Sequence, residues 1–356
     1  MSGEPSRDEI AAAFRVQARG CADHGSAIYA SLIEAAAQDL ERGGKMAEVV
    51  AGWRGHPVLD ALSLRILGGV HRLVMEGSAP GLARHYPSVG GVPDEASLLA
   101  DFAALVEARV PELREAAHEP VQTNEVSRTA ALLPGFLRVA ATTGLPLRLL
   151  ELGSSAGLLQ LADRFRYELG PHRWGDPVSA VMVQADWEGP RPDLEAALRV
   201  TARSGCDPRP IDVRDAVQFR RLASFVWPEQ TARLHLLRTA QRAARFHPPQ
   251  VEASGGADFL RRELARPQRG VATLVFQSVM WWYVSGAERA EITRLVTEAG
   301  ARATSDAPLA WLRMEAGLSD TEVRLWSWPG GEDALLARAQ YHGRWVRWLA
   351  PRSGGA

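Results

Sequence analysis

The chain has 356 residues, 46% of them hydrophobic and 23% charged, which suits a large globular core and two structural regions. Its 41 basic and 42 acidic residues nearly cancel, and no basic run interleaves with aromatics, so nucleic acid is not the expected partner. Cys21 and Cys206 lie far apart and outside any ligand-spaced cluster, which argues against a disulfide framework or a structural metal site.

The first residues lack the apolar core of a signal peptide, and no apolar run approaches membrane-spanning length. A cytoplasmic protein with no membrane partner is expected. Residues 1–145 read as a cap or bundle of some six helices, because apolar residues recur at steps of three and four: Ile10 and Phe14; Ile28, Leu32, Ala36 and Leu40; Leu59, Leu62, Ile66 and Leu73. Breakers stand at Gly43-Gly44, Gly55-His56-Pro57, Gly77 to Gly81 and Pro87 to Pro93.

The texture changes at Gly144-Leu145-Pro146, and residues 146–356 read as an α/β domain. Leu147 to Leu152 is a short apolar strand, a glycine turn follows, and helical spacing resumes at Leu158. Further strands are expected at Ala180 to Gln184, Val271 to Gln277 and Pro308 to Met314, with helices at about 229–245 and 286–300 between them. Such alternation predicts a Rossmann-like, doubly wound, mostly parallel sheet. It should end in an antiparallel hairpin, Glu322 to Trp328 joined to Ala334 to Tyr341 through Pro329-Gly330-Gly331.

The turn Gly153-Ser154-Ser155-Ala156-Gly157 has two chemical readings. As G-x-S-x-G it makes Ser155 a nucleophile, served by a late histidine and an acid. Yet the turn follows the first strand of the domain, and no glycine-rich oxyanion loop precedes it among strands. As a cradle, it is the place where a cofactor approaches the backbone, and glycine leaves room for it. In that form it resembles motif I of class I S-adenosylmethionine-dependent methyltransferases, with Glu151 as the acid, Gly153 and Gly157 as outer glycines and Ser155 replacing the middle one.

The resemblance implies an acid at the end of a second strand for the ribose, and Asp186 takes that place in chain order. It implies another acid near the adenine, for which Asp212 or Asp215 stands in sequence; a helix cap accounts for Asp215 equally well. After the fourth strand, Gln277 together with Trp281 and Tyr283 would line the transfer site, although the Asn-Pro-Pro-Tyr type of motif is absent. A polar run, Gln122, Asn124, Glu125 and Arg128, is a candidate substrate surface. Glu125 or His342 would serve as the base if the acceptor were a hydroxyl.

Together "YPSVGG", "VQTNEVSRTAALLPG", "LRLLELGSSAGL", "WGDP", "FVWPEQ", "SDAPLAWLRME" and "YHGRWVRW" resemble the bacterial family called domain of unknown function 2332, from about Phe14 to Trp348. This resemblance implies a methyltransferase-like sheet behind a helical part. The expected function is binding of S-adenosylmethionine and methyl transfer to a small molecule. The alternatives are a non-catalytic binding module and a Ser155 hydrolase.

Overall fold

The computed structural model describes residues 4–317 and 319–351, and they divide into two compact units. One runs up to Thr123 and takes in Asp215–His235; the other comprises Asn124–Arg214 and the chain from Leu236 onward. The texture change at Gly144 therefore does not coincide with this division, because the helix before it packs with the sheet.

The first unit begins with α1 (Arg7–Asp23), started by a capping box in which Ser6 and Glu9 bond each other's backbone, and α2 (Ala27–Glu41), capped by Ser26. Their buried stripes, Ile10 and Phe14 on α1 and Ile28, Leu32, Ala36 and Leu40 on α2, match the sequence periodicity. There follow α3 (Lys45–Val49), α4 (Leu62–Met75), α5 (Pro80–Ala83), α6 (Glu95–Ala108) and α7 (Val110–His118). Leu59, expected on the stripe of α4, lies before that helix and is exposed. No helix among the described residues is long and apolar enough to cross a membrane.

The second unit opens with α8 (Thr129–Thr143), then β1 (Leu147–Leu152), β2 (Arg166–Leu169), β3 (His172–Trp174), β4 (Met182–Glu188) and β5 (Val200–Asp207). The short α9 (Ala216–Ser224) belongs to the first unit, and α10 (Thr231–Phe246) runs through the sequence boundary at residue 235. The chain continues with β6 (Val251–Ala253), α11 (Gly256–Glu263), β7 (Ala272–Ser278), α12 (Gly286–Ala301), β8 (Leu309–Ala316), β9 (Thr321–Trp328), β10 (Glu332–Ala339) and β11 (Trp345–Trp348).

Among the described residues, eleven strands form one sheet, in the order β3-β2-β4-β11-β10-β9-β8-β7-β1-β5-β6. The five strands β6-β5-β1-β7-β8 are parallel, and β1 is buried along its whole length, as a strand covered on both faces must be. One face carries α8, with Phe136 set edge-on against Phe276 at 5.0 Å and Gly135 against Leu312. The opposite face packs Leu150, Val275 and Trp311 against α11 and α12.

The expected closing hairpin is present as β9 and β10, and it is part of a longer antiparallel run, β8 to β11. The helix expected after the glycine turn is a 3-10 segment, Leu158–Arg164. Its first five side chains are all buried, a demand that no single face of an α-helix meets.

Candidate functional site

The parallel strands end in register, Leu152 of β1 lying between Cys206 of β5 and Gln277 of β7, so the residues after them share one edge of the sheet. From β1 the chain enters the glycine turn. Gly153, Ser155 and Gly157 all have positive φ, at 65°, 51° and 69°. For Ser155 that conformation is strained, and the turn is held by hydrogen bonds from several sides.

The Ser155 amide donates to Asp207 Oδ2 at 2.9 Å, and its carbonyl accepts from Ile211. Asn124 clamps the turn twice: its Nδ2 donates to the Ser154 carbonyl, and its Oδ1 accepts the Leu158 amide at 2.8 Å. Beneath lies Glu151, 3% exposed, with Oε2 lacking a hydrogen-bond partner. Burial pushes its carboxyl up to about 8, against the pull of Gln160 and Ser154 and with help from Asp207. Asp207 is also raised, by burial above all.

The glycines are demanded by the protein itself. A Cβ on Gly153 would stand 2.9 Å from Met280 Cβ, and one on Gly157 would meet Pro249 at 2.6 Å and Val251 at 2.7 Å. A ligand was expected in that space; side chains of this chain border it.

Beside the turn, the loop after β7 begins with Val279, also at φ 51°. Glu315 at the end of β8 organises it: its carboxylate accepts from Gln277 Nε2 at 2.8 Å and from the amides of Met280 and Trp281, both at 3.3 Å. Burial raises the Glu315 carboxyl. Trp281 and Trp311 flank the guanidinium of Arg313, which lies 4.2 Å from the ring centre of Trp326. The cation that Trp281 faces is thus Arg313. Trp282 and Tyr283 are exposed, by 62% and 77%.

One residue beyond the turn's clamp, Glu125 is buried, and its Oε2 lies 3.2 Å from His342 Nδ1. Arg128 fixes the surroundings by donating to the carbonyls of Tyr341 at 2.9 Å and Ser278 at 3.2 Å. Of the polar run, then, Asn124 and Arg128 serve main-chain groups, while Glu125 meets His342.

The structure therefore gathers Glu151, Gly153, Ser155, Gly157, Asn124 and Gln277 with its loop at one edge, and pairs Glu125 with His342. Other expected residues are not members of these groups. Asp186 is exposed on β4, whose neighbours are β2 and β11, so the acid ending the strand beside β1 is Asp207. Asp215 caps α9, accepting from Val217 and Gln218, and falls with Gln122 in the other unit. Asp212 binds its neighbour Arg214.

Sequence reasoning missed Asp207, Gln160, Met280, Arg313 and Glu315. A charged residue ending an apolar strand, as in Trp311 to Glu315, was the available signal for the last. Ser155 Oγ is buried without a hydrogen-bond partner, so it lacks the histidine that a hydrolase places there. Burial raises the thiols of Cys21 to about 11 and Cys206 to about 12, which leaves both protonated. No metal-binding cluster is present among the described residues.

Residues 11–348 match the family described as "Uncharacterized protein conserved in bacteria (DUF2332)". The chain belongs to this family. The match takes in both units and every residue of the edge described above. No curated protein and no solved structure matches the chain.

Proposed function

We propose that the sheet-bearing unit binds S-adenosylmethionine at the carboxyl ends of β1, β5 and β7 and transfers its methyl group to a small-molecule acceptor. The observation that carries this is the placement of the glycine turn and Asp207 on adjacent strands of a five-strand parallel block, β6-β5-β1-β7-β8. β5 and then β6 lie on one side of β1, and the chain crosses from β6 over to β7 on the other side. That Rossmann-like arrangement makes a switch point, where open α/β sheets bind ligands.

The residues fit the cofactor. The unpartnered Oε2 of Glu151 and Oγ of Ser155 are buried acceptors for its amino-acid part. Asp207 already accepts from the amides of Ser155 and Arg209, and a carboxylate has further lone pairs for ribose hydroxyls. When bound, the cofactor supplies a methyl on an activated sulfonium, so that alignment of the acceptor supplies much of the rate.

A second reading, a non-catalytic module on the same fold, is favoured by one observation: Met280, Pro249 and Val251 fill the open sides of the two glycines. Calorimetry with S-adenosylmethionine and S-adenosylhomocysteine tests the proposal. Binding of both, weakened in Asp207→Asn, supports it; a folded wild type that binds neither overturns it. Binding without turnover against a metabolite panel selects the module.

A further inference from the structure

We propose that Arg313, framed by Trp281, Trp311 and Trp326, anchors a binding site for the carboxylate of a small organic acid. Its guanidinium carbon lies over the three indole rings, 5.7 Å from the centre of Trp281, 4.7 Å from that of Trp311 and 4.2 Å from that of Trp326. An arginine stacked in this way keeps its in-plane donors for a ligand and loses little freedom when it binds one. The Nε–H is buried without a hydrogen-bond partner, and among the described residues no acid stands within ion-pair distance of the group. The end-on pair of Nη groups is the fork left for a carboxylate.

The fold sets this cation against its surroundings. Arg313 of β8 lies directly opposite Arg324 of β9, and like charges so placed in an antiparallel pair oppose each other. Arg324 is neutralised, because it donates to Glu322 at 3.1 Å and to the two oxygens of Asp333 at 3.2 and 3.1 Å. Glu315, on the same face of β8 as Arg313, is spent on Gln277 and on the amides of Met280 and Trp281. Both acids whose field reaches Arg313, Glu315 and Asp333, are thus taken by other donors, and burial above all pulls the guanidinium below the ordinary arginine range. A bound anion offsets both the burial and the repulsion.

The frame selects the ligand. One unpaired guanidinium offers one planar fork, which matches a carboxylate; a phosphate dianion calls for a second cation, and Arg324 is already bound. Arg313, Trp281 and Trp326 are each half-buried, so the indoles supply flat apolar walls for an organic body beside a group that solvent reaches. Register ties this place to the edge described above. Leu152, Gln277 and Arg313 occupy one rung across β1, β7 and β8, which puts Arg313 two strands, about 10 Å, from the root of the glycine turn. The site is made by this chain's own residues and needs no cofactor to form.

The test uses the full chain with benzoate, benzamide and inorganic phosphate as probes. Calorimetry should show benzoate binding to the wild type, weakening as salt rises, and benzamide, similar in shape but uncharged, binding at least about tenfold more weakly. Arg313→Lys, which keeps the charge and loses the fork, should weaken benzoate about tenfold, and Arg313→Gln should abolish its binding. The comparison of benzoate with benzamide uses the wild type alone and so decides the matter even where a variant does not fold. Absence of benzoate binding at tens of millimolar, equal affinity for benzamide, phosphate bound as tightly as benzoate, or binding unchanged in Arg313→Gln overturns the inference. Calorimetry with S-adenosylmethionine on the same sample reads the cofactor proposal separately: benzoate bound and cofactor not bound refutes methyl transfer alone, and the converse refutes the acid site alone.

Discussion

Two adjacent parallel strands, β1 and β7, each run into a non-glycine residue at φ 51°, Ser155 and Val279, but what surrounds these residues differs. The turn after β1 is buried, and Asn124 and Asp207 grip its backbone. The loop after β7 is held by the Val279 amide on the Met314 carbonyl at 2.7 Å and by Glu315 through two amide bonds of 3.3 Å, and it exposes two aromatic rings. The same φ therefore occurs in a buried turn gripped by side chains and in a loop whose far end is exposed.

Four measurements sharpen or break that contrast. The largest effect is expected at Glu151. Its carboxyl ordinarily titrates at 4.5 and is raised to about 8 in the fold, so the native state holds a proton that the unfolded chain releases. Its contribution to stability is complete below about pH 4.5 and is lost as the pH rises toward 8, on the order of 5 kcal/mol in all. Asp207 and Glu315, also raised, act in the same direction. Urea unfolding of wild type and Glu151→Gln across this range isolates the group, and parallel pH profiles would show that Glu151 ionises normally.

Next is Gly157→Ala, which combines a positive φ with contact on Pro249 and Val251 and should cost about 3 kcal/mol in the same assay. A loss under about 1 kcal/mol would mean that the turn yields, and the contrast would fail. Third, Asn124→Ala leaves the Leu158 amide unpaired and should cost about 2 kcal/mol. Glu315→Ala should cost less, while raising amide exchange at residues 280 and 281; the reverse ranking would invert the contrast. Smallest is Val279→Gly, which relieves a β-branched residue from a left-handed conformation. It should raise the unfolding free energy by about 0.5 kcal/mol, and a clear loss would show that the side chain's packing outweighs the strain.

The glycine turn was legible because strand, turn and small residues are local features. Asp207 was not, since β5 reads Val-Thr-Ala-Arg-Ser-Gly-Cys-Asp, with no apolar alternation, and because strand neighbours are chosen across the whole sheet. Chain order pointed to Asp186 instead, although β2, β3 and β4 are built as a separate flank of the sheet. Glu125 and His342 were both named from sequence as alternative bases, but only three-dimensional packing joins them. Periodicity located most of the helices of the first unit and erred at Leu59, where Ala61 takes a positive φ and delays α4.

The position of β11 between β4 and β10 has a consequence for how the protein is made. Among the described residues it is the only strand whose ladders join β3-β2-β4 to the rest of the sheet. β4 ends at residue 188 and β11 begins at residue 345. At ribosomal rates of about 5–20 residues per second, the emerging chain must keep the β4 edge for roughly 8–30 s before its proper neighbour exists. An unpaired strand edge over such an interval is a template for pairing with other chains. Production of this protein should therefore respond more to chaperones that shield nascent strands than to the stability of the finished fold.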